Sequence, residues 1–536
     1  MGLVFAVILL AGGLRLPRLD LRPMHADEAI QADKFGALLE TGEYRYDPLH
    51  YHGPALNYLT LPSAWLAGIH NYRDLNEIVL RVVPALLGLF LVLVPFLFGD
   101  AFTFPEAASC AALTAISPAM TYYSRYYIHE MLLTFFASGV IACLFLHFSR
   151  PRLVWAITGG ISGGLMLATK ETALLSIGSL SAALVLATLL LGGRSQAIPP
   201  DEIVGRSPCR LSAVPWRASV LFRNGLVSLL AALGIVVFFF TSFLKHPAGM
   251  VDFLASYFAY FYRAVHDPLH THPWHYYLGL LVFFKESPGP FWSEAFIVIL
   301  AMVGGWCIFR NWNASANKIF LLRVLLLYTV ILTLAYTVIP YKTPWCLLGF
   351  LHGMILLAGV GAIRLLSCFP QTRARWLVGL ILVAGALHLS YQSFVGNFIY
   401  CADPRNPYVY AHTGWDVFEI RDKLERLAKA NPDGHNLQVQ VYSRRNLWPL
   451  PWYFRNFQRL EWWTQVHDAT PLAPVILATP EMEAALLRKL YDLPPPGQRE
   501  LYLHLFAHYV ELRPSVEVRG YIAKSFWDQI RNAGAS

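Results

Sequence analysis

Apolar stretches recur along the chain at about 2–16, 78–98, 105–121, 130–148, 153–169, 172–191, 224–244, 290–309, 319–339, 345–366 and 376–395. Each is near the roughly 20 residues a helix needs to cross a hydrocarbon core, with a few shorter. The pattern predicts about eleven transmembrane helices. The stretch 275–284 is apolar but too short to span, and is read as an interfacial or re-entrant helix. From 397 onward the pattern changes. Residues 418–430 have helical periodicity, 437–442 alternate as a strand, 474–478 suit a short buried strand and 484–490 suit a helix. The fold class is therefore an α-helical polytopic membrane protein, residues 1–396, with a small C-terminal α/β domain, residues 397–536.

Composition agrees. The chain is 56% hydrophobic and 14% charged, where soluble domains carry about 25% charged residues. Arg150, Arg152, Arg194, Arg206, Arg210, Arg217, Arg223, Arg310, Lys318, Arg364, Arg373 and Arg375 occupy one alternate set of connections. Positive loops face the cytoplasm. The N-terminus is then cytoplasmic, as is loop 192–223, while loops 18–77 and 245–289 and the tail lie outside. Arg15, Arg18 and Arg22 argue the other way, but from a long loop, where the rule is weak. Met1 to Leu14 has no positive residue ahead of its apolar run, so it reads as a short first helix rather than a secretory signal. A start codon assigned too late would produce the same shortness. The net charge of +8 is scattered along the chain, which excludes a nucleic-acid patch and suits orientation and phosphate handling. Seven cysteines with no CxxC pair give no disulfide framework or zinc site.

The reactive clusters fall in the other set of connections: His25-Ala-Asp27-Glu28, Ser124-Arg125-Tyr-Tyr-Ile-His129-Glu130, Lys170-Glu171, Lys285-Glu286 and Tyr341-Lys342. They therefore share one face. Asp27 suits a general base and Glu28 a supporting or metal-binding group, although the pair would equally serve to cap a helix. Glu130 opens an apolar run, which is costly for an unpaired carboxylate. Lys170 and Lys342, with Arg125, suit a clamp on a lipid-linked phosphate, or lysines reaching for the interface. Lys285 and Glu286 extend that clamp or form a simple ion pair. His52 lines an acceptor pocket or caps a turn. His270, His272 and His275 lack a firm ligand spacing and read as solvated.

The order and spacing of His25-Ala-Asp-Glu28, Tyr51-His-Gly-Pro54, Ser124 to Glu130, Lys170-Glu-Thr172, Phe284-Lys-Glu286, Tyr341-Lys-Thr-Pro-Trp345 and Trp448-Pro-Leu-Pro-Trp452 resemble the GT-C membrane glycosyltransferases. These include the protein O-mannosyltransferases and aminoarabinose transferases. The pattern is most similar to the bacterial and archaeal family labelled "flippase activity-associated". The resemblance runs along nearly the whole chain, and rests on motif order more than on any one motif. It implies inverting transfer of a sugar from a polyprenyl-phosphate donor to an acceptor (glycan, lipid or protein) outside the cytoplasm. It places Asp27 as the catalytic carboxylate of the first loop and Glu130 as the second acidic residue, preceded by Arg125; with the clusters above, the expected site has Asp27, Glu28 and Glu130 as catalytic and Arg125, His129, Lys170, Glu171, Lys285, Glu286, Lys342 and His52 as substrate-binding residues. A divalent cation, Mg or Mn, is the cofactor such a site could use. Two other readings of the same features are a flippase for lipid-linked sugar and a non-catalytic protein of envelope-polysaccharide assembly. Transporters, however, place polar groups near mid-membrane and often carry repeats. Here the charges sit at span ends, with no repeat.

Overall fold

The computed structural model describes residues 2–49, 51–192, 218–266, 270–310, 315–369 and 371–533. Most of the expected cytoplasmic loop 192–223 lies outside the described residues.

Among the described residues, six helices are long and apolar enough to cross a membrane: α7 (Glu130–Ser149), α9 (Ala173–Gly192), α10 (Ala218–Phe240), α14 (Ala316–Val338), α15 (Leu348–Ser367) and α16 (Thr372–Phe398). Shorter apolar helices are α1 (Gly2–Arg15), α5 (Phe104–Ile116), α8 (Leu153–Leu167) and α13 (Ala295–Phe309). With α4 (Glu77–Leu91) they stand where the eleven apolar stretches predict helices. The protein is a multi-pass membrane protein. Two stretches are broken rather than continuous. Stretch 78–98 ends as a helix at Leu91 and continues as tight turns at Val94–Leu97 and Gly99–Ala101. Pro95 sits in the first of these turns, where it cannot donate a helical hydrogen bond. Stretch 105–121 stops at Ile116, and Ser117 with Pro118 starts a new short helix, α6 (Pro118–Tyr123). Proline is favoured at such a first helical position.

The bundle is built around α15, which packs on α5, α13 and α14. At the crossing of α13 and α15, a Cβ added to Gly304 would stand 2.1 Å from Leu357 O, and one added to Gly361 2.1 Å from Leu300 O. Glycine at both positions lets the two backbones touch. Close approach of this kind replaces the hydrophobic driving force that lipid cannot supply between helices.

The connection 18–77 folds into α2 (Ala26–Thr41) and α3 (Ala55–Leu66). The connection 245–289 contains α11 (Gly249–His266) and the short α12 (Tyr276–Val282), the latter where a re-entrant or interfacial helix is expected. No helix is expected over 249–266, so α11 is an addition. It is two-faced. Val251, Leu254, Phe258 and Phe261 are exposed, while Phe253 packs on Phe240 at 4.5 Å between ring centroids.

In the tail, α17 (Asp416–Ala430) precedes a five-stranded sheet ordered β4-β3-β5-β9-β6. Strands β3 (Gln438–Tyr442), β4 (Arg459–Trp463) and β5 (Val475–Ala478) run parallel, and β9 (Arg519–Ala523) and β6 (Tyr502–His504) continue antiparallel. The expected helix at 484–490 is found as α19 (Pro480–Leu487) and a wider turn over Arg488–Asp492. The tail is held to the membrane part by Trp452 Nε1 donating to Glu77 Oε1 at 2.9 Å, Met24 N to Tyr453 Oη at 2.9 Å, and Tyr123 Oη to Tyr408 O at 2.9 Å.

Candidate active site

Helix α2 opens with a reciprocal cap. The Nδ1 of His25 accepts from Asp27 N at 3.1 Å, and Glu28 Oε2 accepts from His25 N at 3.0 Å. Because Nδ1 is the acceptor, the other ring nitrogen, Nε2, is the donor, and it meets Tyr410 O at 3.2 Å. The adjacent carboxylates then diverge, as neighbours about 100° apart on a helix must. Asp27 points outward, its side chain 52% exposed, with His25 Nδ1 3.8 Å away and already used by the Asp27 amide.

Glu28 is fully enclosed. Arg81 of α4 grips it through Nε at 2.8 Å and Nη2 at 2.7 Å, Arg22 adds a contact at 3.3 Å, and Tyr127 N donates at 2.8 Å. Burial alone would raise the Glu28 carboxyl, but the charges of Arg81 and Arg22 and the bonds from Arg81 and His25 outweigh it and hold the group well below the usual range. Both carboxylate oxygens are occupied. As placed, Glu28 caps α2 and joins it to α4 and the 124–128 turn, the capping alternative to its expected catalytic or metal-binding role. Arg81 was missed by sequence reasoning, though a lone arginine inside an apolar stretch is a signal that it needs a buried partner.

Arg125, expected at a phosphate, faces the chain that leaves α1. Its guanidinium donates to Arg15 O at 3.0 Å, Pro17 O at 2.7 Å and Arg18 O at 2.9 Å, and lies over the Phe398 ring at 4.8 Å. It clamps the chain leaving α1 instead of reaching toward a phosphate beside Lys170. Lys285 and Glu286, expected to extend the clamp or pair with each other, lie apart from it. They are exposed in a two-stranded hairpin, β1 (Phe284–Lys285) with β2 (Phe291–Trp292), whose turn is held by Arg405 Nη1 on Pro288 O at 3.1 Å. Among the described residues they form no ion pair with each other and no polar contact with the cluster around Asp27.

The remaining polar residues do converge. Gly53 lies against the turn after α8, where an added Cβ would stand 2.2 Å from Ala168 O, and Ala55 N donates to that same oxygen at 2.8 Å. This close approach brings Tyr51-His-Gly-Pro54 onto Lys170-Glu171. His52 Nδ1 meets Glu171 Oε2 at 2.8 Å, and Tyr46 donates to Glu171 Oε1 at 3.1 Å. Burial would raise the Glu171 carboxyl, but His52, a backbone N–H and Lys170 together hold it below its usual value. Lys170 is ion-paired with Glu130, and both are buried. Burial opposes the Lys170 charge, and Glu130, with smaller help from neighbours, keeps the ammonium protonated above its usual range. His129 sits behind, its Nε2 3.1 Å from Gly53 O, and its burial, helped by His52 and Lys170, keeps it neutral far below the usual histidine range. Tyr260 of α11 roofs this group, 5.8 Å from the His52 ring.

Lys342 completes the arc. Segment 270–272 pairs with 340–342, with Lys342 N on His270 O at 2.8 Å and Lys342 Nζ on His272 O at 3.2 Å. His270 Nδ1 and His272 Nε2 both reach the hydroxyl of Tyr410, at 2.9 and 3.1 Å. These histidines are read from sequence as solvated; the structure ties them to the tail. His412, two residues on, stacks on His25 at 5.6 Å and 7°. Tyr410, 385 positions from its partner His25 in sequence, carries no local motif that could have announced it.

Among the described residues no three His, Cys, Asp or Glu side chains gather as a ligand set. Glu28, Glu130 and Glu171 are each spent on cations or hydrogen bonds, so the Mg or Mn expected from the sequence finds no built site there.

Residues 55–224 match the family model described as dolichyl-phosphate-mannose-protein mannosyltransferase. ArnT from Cupriavidus metallidurans bound to undecaprenyl phosphate superposes over 97% of this chain and 98% of its own, at 14% identity and TM-score 0.58. The archaeal oligosaccharyltransferase AglB from Archaeoglobus fulgidus, in complex with an inhibitory peptide and a dolichol-phosphate, superposes over 90% of this chain and 69% of its own, at 14% identity and TM-score 0.55. No curated protein matches in sequence. The fold is that of the GT-C membrane glycosyltransferases, and the segment that carries α3 to α9 is the part similar to their mannosyltransferase branch.

Proposed function

We propose that the protein transfers a sugar, with inversion, from a polyprenyl-phosphate carrier to an acceptor hydroxyl on the outer side of the membrane, and that Asp27 is the general base. One observation carries the assignment. Asp27 is 52% exposed, while the side chains of Glu28, Glu171 and Glu130 are 0%, 6% and 7% exposed and all paired. A base must reach the acceptor proton, and of these four only Asp27 is open to an acceptor.

In the proposed reaction the acceptor hydroxyl gives its proton to Asp27 as its oxygen attacks the anomeric carbon. The bond from that carbon to the phosphate oxygen breaks, its electron pair stays with the carrier, and polyprenyl phosphate leaves. Lys342 and Lys170 offset the growing charge. Lys170 reaches the phosphate by sharing its ammonium with Glu130, so Glu130 tunes that cation rather than acting as a second base. Outward placement of this face follows from the arginine-rich loops on the other. Two proteins of similar fold support a lipid-phosphate donor, since ArnT holds undecaprenyl phosphate and AglB a dolichol-phosphate.

The test is transfer of labelled sugar from polyprenyl-phosphate donors in proteoliposomes, wild type against Asp27→Asn. Transfer that collapses in the variant supports the proposal. Undiminished transfer removes Asp27 as base, and lipid movement without transfer replaces the enzyme with a flippase.

A further inference from the structure

The proposed reaction needs two groups from distant parts of the chain to stand at a set spacing: Asp27 at the start of α2, and Lys342 in segment 340–342. Tyr410 of the tail touches the supports of both. Its carbonyl oxygen meets His25 Nε2 at 3.2 Å, and His25 Nδ1 accepts from the Asp27 amide at 3.1 Å. Its hydroxyl lies 2.9 Å from His270 Nδ1 and 3.1 Å from His272 Nε2. A phenol oxygen carries one proton and two lone pairs, so it can serve both imidazoles at once. The backbone around those same two histidines carries the lysine. Lys342 N donates to His270 O at 2.8 Å, Lys342 Nζ to His272 O at 3.2 Å, and His272 N to Pro340 O at 3.1 Å. The segment that bears Tyr410 is itself pinned on both sides. Tyr123 donates to Tyr408 O at 2.9 Å, and Tyr126 Oη stands 3.3 Å from Nδ1 of His412, which stacks on His25. Trp345, just beyond Lys342, sets its ring edge-on to His25 at 5.6 Å and to Tyr410 at 5.9 Å, and it lines the small cavity beside Lys170 and Glu130.

We infer that Tyr410 is a positioning residue: its hydroxyl fixes the arm 270–272, and with it Lys342, in register with the Asp27 end of α2. The inference rests on the reading of Lys342 as a cation that meets the carrier phosphate. It gives the tail a part in the chemistry beyond covering the site. A cation that offsets charge on a leaving phosphate works only when held in place beforehand. Loss of the hydroxyl alone leaves the Tyr410 carbonyl on His25, so it loosens the lysine and spares the base.

The experiment is binding of undecaprenyl phosphate, the kind of product the proposed reaction releases, to solubilised wild type, Tyr410→Phe, Lys342→Met and the Tyr410→Phe/Lys342→Met double variant. Tyr410→Phe is expected to raise Kd by about tenfold, the worth of one or two hydrogen bonds. In the Lys342→Met background the same change should add nothing. The His270→Phe/His272→Phe variant cuts the same bonds from the other side. It should match Tyr410→Phe, and it takes the place of Lys342→Met in the double variant if that protein does not fold. A merely structural tyrosine would lower the yield or thermal midpoint and leave the Kd of the folded protein in place; that result overturns the inference. So does a Tyr410→Phe effect that adds in full to that of Lys342→Met. Wild-type binding and transfer with a Kd unmoved by Lys342→Met removes the lysine from the phosphate, and the inference with it. Absence of transfer in wild type would instead overturn the proposed function.

Discussion

At the residue scale, the buried histidines make a prediction separate from catalysis. His129 faces His52, Lys170 and Gly53 O, and His412 faces His25, Arg22, Arg81, Glu28 and Tyr126. Burial first, and then these cations, hold both well below the usual histidine value. The unfolded chain takes up a proton on each near pH 6.5, while the folded protein does not. The sign is therefore fixed: their contribution is fully present above about 6.5 and is lost as pH falls below it. The thermal midpoint should drop between about pH 7.5 and 5.5, and His412→Gln should flatten the drop. An equal drop in His412→Gln would assign the loss elsewhere. Asp27 makes the second residue-scale prediction. Asp27→Asn should cut transfer by about 10²–10⁴-fold, the worth of a positioned base, with little change in thermal midpoint, because its side chain is exposed and carries no packing. The adjacent pair Asp27-Glu28 was legible in the sequence as a pair. Its division of labour was not, because that depends on which carboxylate faces Arg81, 53 positions from Glu28.

At the scale of elements, α2 and α4 are joined through one ion pair. Removing one partner of a buried pair leaves an unpaired charge in the interior, which costs about 3–5 kcal/mol. Glu28→Gln and Arg81→Met should each lower the thermal midpoint strongly. A double variant less damaged than their sum would show that each single loss was mainly the orphaned partner. If Glu28→Gln left the midpoint unchanged while abolishing transfer, Glu28 would return to the catalytic set. The membrane elements were legible because apolar length is a strong signal. Helix α11 was not read, although its amphipathic spacing, with Val251, Leu254, Phe258 and Phe261 exposed and Phe253 and Tyr260 inward, was there to be found; it is too polar to stand out by apolar length. The histidines at 270 and 272 gave only a loose spacing, and what organises them is Tyr410, supplied by the tail.

For the whole molecule, the question is whether tail and membrane part behave as one unit. Their apolar cores are continuous: Met24, Phe35 and Tyr127 on one side share a cluster with Val439, Trp452 and Leu477 on the other. Trp452 is buried at the seam, its indole N–H on Glu77 and its ring beside Tyr72 at 5.9 Å. Trp448-Pro-Leu-Pro-Trp452 is one of the motifs that resemble GT-C enzymes, and the structure gives Trp452 a physical task, seating the tail on α4 and the turn before it. Emptying a buried tryptophan site costs about 3–5 kcal/mol, here at an interface rather than inside either part. Wild type should therefore unfold in a single calorimetric transition, and Trp452→Ala should split it, the tail melting first. Protease cleavage near residue 400 should rise in the same variant. Because Trp452 helps seat the tail that carries Tyr410 and His412 against His25, transfer should fall in Trp452→Ala at temperatures below its first transition. A single, uniformly lowered transition would mean that the two parts are coupled by more than this seam.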